Sequence, residues 1–144
     1  MLKYMQGRFH LAGASFVIPE GFFLDSAPFV PADNGLSLHS PDDKYDLTLS
    51  FDNQAQSTYA MLNSLFSKEY GLKPFQPITP ILINGLSGHY ALYHGISDQY
   101  YEARFQLDEN WHLVILVRTD NIIGIKNIVN AKDFHKILNC VQKG

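Results

Sequence analysis

The chain has very little cysteine: Cys140 is the single one among 144 residues. One cysteine cannot form an intramolecular disulfide bond, and it excludes a zinc site built from several cysteine ligands. Cys140 lies between Leu138 and Val141 in an apolar segment. This context predicts a small buried side chain, because a nucleophilic thiol needs a polarising group beside it.

Clusters of basic residues and long apolar runs are also absent. The eleven lysine and arginine residues are scattered and the formal net charge is −3, so the sequence predicts no nucleic-acid surface. The longest apolar candidate, 113–117, has the length of a strand, whereas a membrane-spanning helix needs about 20 apolar residues. Residues 1–10 lack the apolar core of a signal peptide. We therefore expect a soluble, cytoplasmic protein without a membrane span.

The motifs of common enzyme classes are missing as well. The sequence has no GxSxG elbow, no phosphate-binding loop, no EF-hand and no HExxH pair. The glycine-containing segment 85–88 lacks the lysine and the following helix that a phosphate-binding loop requires. We predict no catalytic residue, no metal site and no cofactor.

What the chain does contain is apolar and aromatic residues. Hydrophobic residues make up 46% of the sequence and aromatic residues 13%, while charged residues make up 17%. This balance predicts a folded chain with a sizeable core, and the length fits one domain over residues 1–144.

Alternating apolar and polar residues between short turn signals predict a meander over 77–120. Its four predicted strands are 78–84, 86–96, 100–107 and 111–119. An earlier hairpin is predicted at 35–39 and 46–51, after a loop at 26–34 that contains two prolines. Helical spacing predicts one helix from Ser57 or Thr58 to about Tyr70, and a second over 131–142. The predicted fold class is α+β: a mainly antiparallel sheet of about six strands with helices packed on it.

The last predicted hairpin separates two faces of this sheet. A three-residue loop at 108–110 places Leu107 opposite Trp111, and Phe105 opposite Leu113. Ala103 then lies opposite Ile115 on the same face. Because these pairs are apolar throughout, we predict that this face is core.

The other face carries both polar and apolar residues, and we call it the mixed face. It pairs Gln106 with His112 and Glu102 with Leu116, and the preceding hairpin places His89 near Gln106. Sheet surfaces in contact with water are usually more polar, so the mixed face is either covered by a helix or a contact surface. The candidate binding residues on it are His89, Tyr93, Glu102, Arg104, Gln106, His112 and Arg118.

Two pairs of residues on the mixed face are considered as a catalytic or metal site. Glu102 and Arg104 are two residues apart on one strand, and we expect them to form a surface ion pair worth at most about 1 kcal/mol. His89 and His112 share a row, but no third ligand of carboxylate or sulfur type is predicted beside them. Neither group therefore predicts a catalytic or metal site.

Three segments resemble the PsbP-like superfamily. They are FVIPEGF at 16–22, INGLSGHYALYH at 83–94 and DFHKILNCV at 133–141. Members of that superfamily include the extrinsic photosystem subunit, a Ran-binding nuclear transport factor, bacterial DcrB-type lipoproteins and the Eag-type chaperones of type VI secretion. The resemblance implies an α/β/α sandwich and a binding role, and it implies no catalytic residue.

These observations lead to one main functional hypothesis and two alternatives. The main hypothesis is a non-catalytic adaptor or chaperone-like protein that binds another protein, such as a secreted effector segment, through the mixed face. One alternative is a small-ligand-binding protein or enzyme with a pocket near His89, Arg104 and His112. The other is a homo-oligomer joined through a sheet edge or face.

Overall fold

The computed structural model describes residues 2–25 and 34–144. The loop predicted at 26–34 lies, apart from its last residue, outside the described residues.

Strands dominate the described residues and form two antiparallel sheets. The strands are β1 (Lys3–Met5), β2 (Arg8–Leu11), β3 (Ala14–Phe16), β4 (Phe23–Leu24), β5 (Gly35–His39), β6 (Asp46–Asn53), β7 (Lys73–Pro74), β8 (Thr79–Ile83), β9 (Leu86–His94), β10 (Asp98–Asp108), β11 (Trp111–Asp120) and β12 (Val141–Lys143). The large sheet has the order β4-β5-β6-β11-β10-β9, and both β7 and β8 pair with the outer side of β9. The small sheet has the order β1-β2-β3-β12.

Short helices lie on both faces of the large sheet. They are α1 (Thr58–Ser64), α2 (Ile125–Val129) and α3 (Phe134–Leu138). Leu62 of α1 packs against Ala91 and Tyr93 of β9 in a small apolar cluster. Residues of α2 and α3 belong to the main core on the opposite face. The small sheet covers that same face, where Phe16 of β3 stacks on Phe51 of β6 with ring centroids 5.8 Å apart.

The predicted mainly antiparallel sheet is confirmed, and the four strands of the meander lie where the alternation predicts them. The described residues nevertheless contain more strands than the six expected, and their helices are shorter. The extra strands are mostly short segments of the small sheet, one of which, β12, overlaps the end of the helix predicted at 131–142.

The predicted pairing of β10 with β11 is confirmed except at its end. Phe105 lies opposite Leu113 and Ala103 opposite Ile115, and these four residues are fully buried. Leu107 does not lie opposite Trp111, because the register shifts and Asp108 is the partner of Trp111. Leu107 is therefore the extra residue of a bulge, and the turn is one residue shorter than predicted.

The predicted pairing of β9 with β10 is wrong by two residues. His89 lies opposite Arg104, and Tyr93 lies opposite Tyr100. The hairpin turn lies at 95–97, where the Gly95 amide donates to the Asp98 carbonyl, and not at 97–99. Because the error is an even number of residues, every side chain keeps its predicted face.

Both predicted helices end early. Of the two predicted start residues, Ser57 is the cap of α1 and accepts a hydrogen bond from the Ala60 amide, but the helix ends at Ser64 instead of near Tyr70. The residues after it form successive turns, and Tyr70 is exposed. The helix predicted at 131–142 is α3 followed by a strand, since Val141 pairs with Phe16 in the small sheet.

Cys140 is 2% exposed, and burial raises the pKa of its thiol to about 12. We expect the native protein to leave a thiol-specific reagent such as dithionitrobenzoate unreacted at about pH 8, because the thiolate is the attacking form. The same protein in concentrated urea should release one equivalent of chromophore. Rapid reaction of the native protein would contradict this prediction.

Candidate functional site

The structure gathers the core of the mixed face under α1. The helix packs against β9 and β10, and it covers much of the polar row that these strands present. Tyr93 is 4% exposed, Glu102 6% and His112 0%. Glu102 was expected at the surface, but it is buried. Because a buried polar or charged group is costly unless it is paired, the partners of these three groups matter for stability.

The Glu102 carboxylate accepts two hydrogen bonds from side chains. The Tyr93 hydroxyl donates to Oε1 at 2.7 Å, and Arg104 Nε donates to Oε2 at 2.7 Å. Burial raises the pKa of Tyr93, and the Glu102 charge raises it further, so the phenol remains a neutral donor. The expected surface ion pair between Glu102 and Arg104 is thus a buried one, with side-chain exposures of 7% and 11%.

Arg104 also contacts two groups from other strands. Its Nη1 donates to Oδ2 of Asp52 at 2.8 Å and lies 3.3 Å from Nδ1 of His112. Asp52 belongs to β6 and is more open to solvent, with 38% of its side chain exposed. The guanidinium therefore bridges a buried and a half-exposed carboxylate, an arrangement that suits its planar set of donors.

His112 is held in one neutral form. Burial lowers its pKa, and the Arg104 charge lowers it further. Since Arg104 donates toward Nδ1, the proton lies on Nε2, which donates to the Gln56 carbonyl at 2.8 Å. Both ring nitrogens are occupied, so a ligand would have to displace Arg104 or the Gln56 segment to reach this ring.

His89 belongs to the same face but has other partners. Its Nδ1 lies 2.9 Å from the Thr58 hydroxyl at the start of α1, and its ring makes an edge contact with Tyr59. His89 and His112 therefore anchor two different parts of the segment around α1. Within the residues that the structure describes, no group of three metal-ligating side chains is found.

The two remaining predicted residues lie at the periphery. Gln106 is exposed and donates to the Asp108 carbonyl at 2.6 Å. Arg118 pairs with Asp46 at 2.6 Å, and 48% of its side chain is exposed. The mixed face therefore has a buried charged centre and a solvent-exposed rim.

Sequence reasoning missed Asp52, Thr58 and the Gln56 carbonyl. A signal for Asp52 exists, because polar residues alternate along β6 and place Asp52 on the same face as Asp46. Using that signal required the pairing of β6 with β11, two strands more than 50 residues apart in the chain. The local hairpins could not supply it.

The network is suited to holding structure. Its acids and bases form hydrogen bonds with one another, and Tyr93, Glu102 and His112 have little contact with solvent. A general base or nucleophile has to reach a substrate atom within hydrogen-bond distance. In this arrangement the rim, and not the charged centre, is open to a partner.

Comparisons with known proteins add no family to this picture. None of the helices in the described part of the chain is long and apolar enough to cross a membrane. No family model matches the chain, and no curated protein is significantly similar to it.

Proposed function

We propose that this chain is a non-catalytic adaptor or chaperone-like protein that binds a partner protein at the rim of its mixed face. The observation that carries the proposal is the internal pairing of the charged centre, with the Glu102, Arg104 and Asp52 side chains bonded to one another. Such pairing supports a rigid framework, and a rigid framework favours binding of a partner without much reorganisation.

The rim has the composition of a contact surface. Tyr59 of α1 contacts His89 and is 50% exposed, and the rim of the mixed face also includes half-exposed Asp52 and Arg118 and half-buried Tyr100. Tyrosine and arginine are the residues that most often anchor protein interfaces. A segment of a secreted effector is the partner that we propose first, from the resemblance to chaperones of secretion systems.

The arrangement of helices and sheet supports the proposed relation to the PsbP-like superfamily. Placement of α1 on one face of the large sheet, with α2 and α3 on the other, is compatible with an α/β/α sandwich of PsbP-like type. We accordingly propose a bacterial, cytoplasmic accessory protein, on the basis of the resemblance.

A photo-cross-linking residue at position 59 tests this proposal in cells that express the protein. Position 4 is the matched control, because Tyr4 is also exposed, at 64%, but lies on β1 of the small sheet. We expect one discrete adduct from position 59 and none from position 4. With the purified partner, Tyr59→Ala should weaken binding about tenfold, as for an interface anchor.

Two outcomes would overturn the proposal. Equal adducts from both positions would indicate contact without a defined surface. An adduct with the mass of two copies of this chain would instead favour the homo-oligomer.

A further inference from the structure

A groove lies on the face of the large sheet opposite to the mixed face. It has a volume of about 350 Å³ and runs between β8–β10 and the helices α2 and α3. This volume is at the lower end of the range of about 300–1,000 Å³ that is typical of small-molecule sites. The rim that the proposed function uses contributes no residue to it.

The floor of the groove is apolar, while Gln76 and Asn130 are polar residues of its lining. Leu92 and Tyr101 form its floor and are 4% and 3% exposed. The Tyr101 ring is fixed between Tyr90, at 5.3 Å, and Phe134, which it meets edge-on at 5.1 Å. Val129 of α2 is part of the wall.

Tyr101 also brings a hydroxyl group to the groove. Within the described ranges, the contacts of Tyr101 are its two ring contacts, and no hydrogen bond to its hydroxyl is found. Burial raises the pKa of this phenol, so the hydroxyl is a proton donor at neutral pH. A ligand oxygen in the groove could therefore accept a hydrogen bond from this hydroxyl.

One cation stands at the mouth of the groove. Lys126 lines it and is exposed, with Nζ 4.9 Å from the centroid of the Phe75 ring. In the described part of the chain, no carboxylate is within ion-pair distance of Lys126. Its charge is therefore available to an anion that enters the groove.

We propose that the groove binds a small amphiphilic carboxylic acid, with its apolar body on Leu92 and Tyr101, its carboxylate at Lys126 and a second oxygen at the Tyr101 hydroxyl. The apolar floor, the Tyr101 hydroxyl donor and the Lys126 cation each match one part of such a ligand. The proposal is independent of protein binding at the rim.

Three related probes separate the parts of this ligand. Benzoylpropionate carries an aromatic ring, a ketone and a carboxylate; phenylbutyrate lacks the ketone, and phenylbutanol lacks both the ketone and the charge. Their binding to the folded protein can be followed by amide chemical shifts in NMR titrations. We expect shifts that cluster around the groove and affinities that fall in the order in which the probes are named.

Conservative variants connect each probe group to one residue. Tyr101→Phe should remove the advantage of benzoylpropionate over phenylbutyrate, about threefold to tenfold for one hydrogen bond. Lys126→Gln should remove the advantage of phenylbutyrate over phenylbutanol, about threefold for an exposed ion pair. Lys136→Gln is the matched control, because Lys136 is exposed on α3 but does not line the groove.

A blocking variant completes the test. Val129→Trp should fill the groove and abolish the shifts, provided that its NMR spectrum remains that of a folded protein. The proposal is overturned if none of the three probes shifts amides around the groove at millimolar concentration. It is equally overturned if Lys126→Gln and Lys136→Gln bind all probes alike, since the cation would then have no role.

Discussion

Replacement of Gly88 by alanine is expected to abolish stable folding of this protein. Gly88 lies opposite Phe105 in the pairing of β9 with β10, and β8 pairs with it on the other side. A Cβ atom built at Gly88 would lie 2.8 Å from the Arg104 carbonyl carbon and 2.9 Å from Phe105 Cα, and it would overlap the Arg104 carbonyl oxygen. These are backbone atoms, which can move only if the strands separate.

The expected loss exceeds that of ordinary overpacking. Extra methyl groups in a core usually cost about 1–3 kcal/mol because neighbouring side chains adjust. Separation of β9 from β10 would also open the sheet at Phe105, so we expect a loss above about 4 kcal/mol in the free energy of unfolding, or no cooperative transition. Circular dichroism during urea titration measures it.

Gly95→Ala is the control for this prediction. Gly95 follows the same strand, and a Cβ atom there would meet Leu72 Cδ2, the end of a flexible side chain, at 3.3 Å. We expect a change within about 1 kcal/mol, typical of a tolerated substitution. Equal stability of the two variants would refute the close approach at Gly88.

Replacement of Arg104 by methionine should cost about 3–5 kcal/mol, the usual cost of leaving a buried charge without its partner. The variant keeps most of the side-chain volume but removes the donor to Glu102 and Asp52, and it leaves His112 Nδ1 without its donor. Glu102 would then retain the Tyr93 hydroxyl as its side-chain partner in the described network. Chemical denaturation at neutral pH measures the loss.

A double-mutant cycle isolates the charge. Glu102→Gln alone should also destabilise, but the combination with Arg104→Met should lose less than the sum of the two, by about 1–3 kcal/mol. Arg118→Met is the matched control, because its partner Asp46 and its own side chain are partly exposed, and it should cost less than about 1 kcal/mol. Equal losses from Arg104→Met and Arg118→Met would contradict the buried network.

Local patterns predict some features of this chain well. The alternation of apolar and polar residues assigns Phe105 and Ile115 to the core face, and Glu102 and Arg104 to the other, because neighbouring side chains in a strand point to opposite faces. Ser57 and Thr58 are both recognised as candidate caps from their position before an apolar periodic segment, and Ser57 is the one that caps α1. These features depend on residues within a few positions of one another.

Other features are beyond local patterns. Val141 has the helical spacing expected of a helix stripe, yet it pairs with Phe16 as a strand, and that partner is 125 positions away. Asp52 joins Arg104 through the pairing of β6 with β11, which no turn between them specifies. The pairing predicted for His89 was wrong by two residues because the hairpin turn was placed two residues too late. Several residues near Gly95 are compatible with a turn, so the local sequence does not fix its position.

The sequence by itself determined the strands of the meander, which of its two faces is the apolar core and which is mixed, and the burial expected for Cys140. Only the tertiary structure decided that the mixed face has a buried charged centre, and that a groove containing the Tyr101 hydroxyl lies on the opposite face of the sheet. The physical reason is that periodicity states which side of a strand a residue occupies. Burial, ion pairing and cavity shape depend on which distant segment, here α1, β6 or α3, packs onto that side.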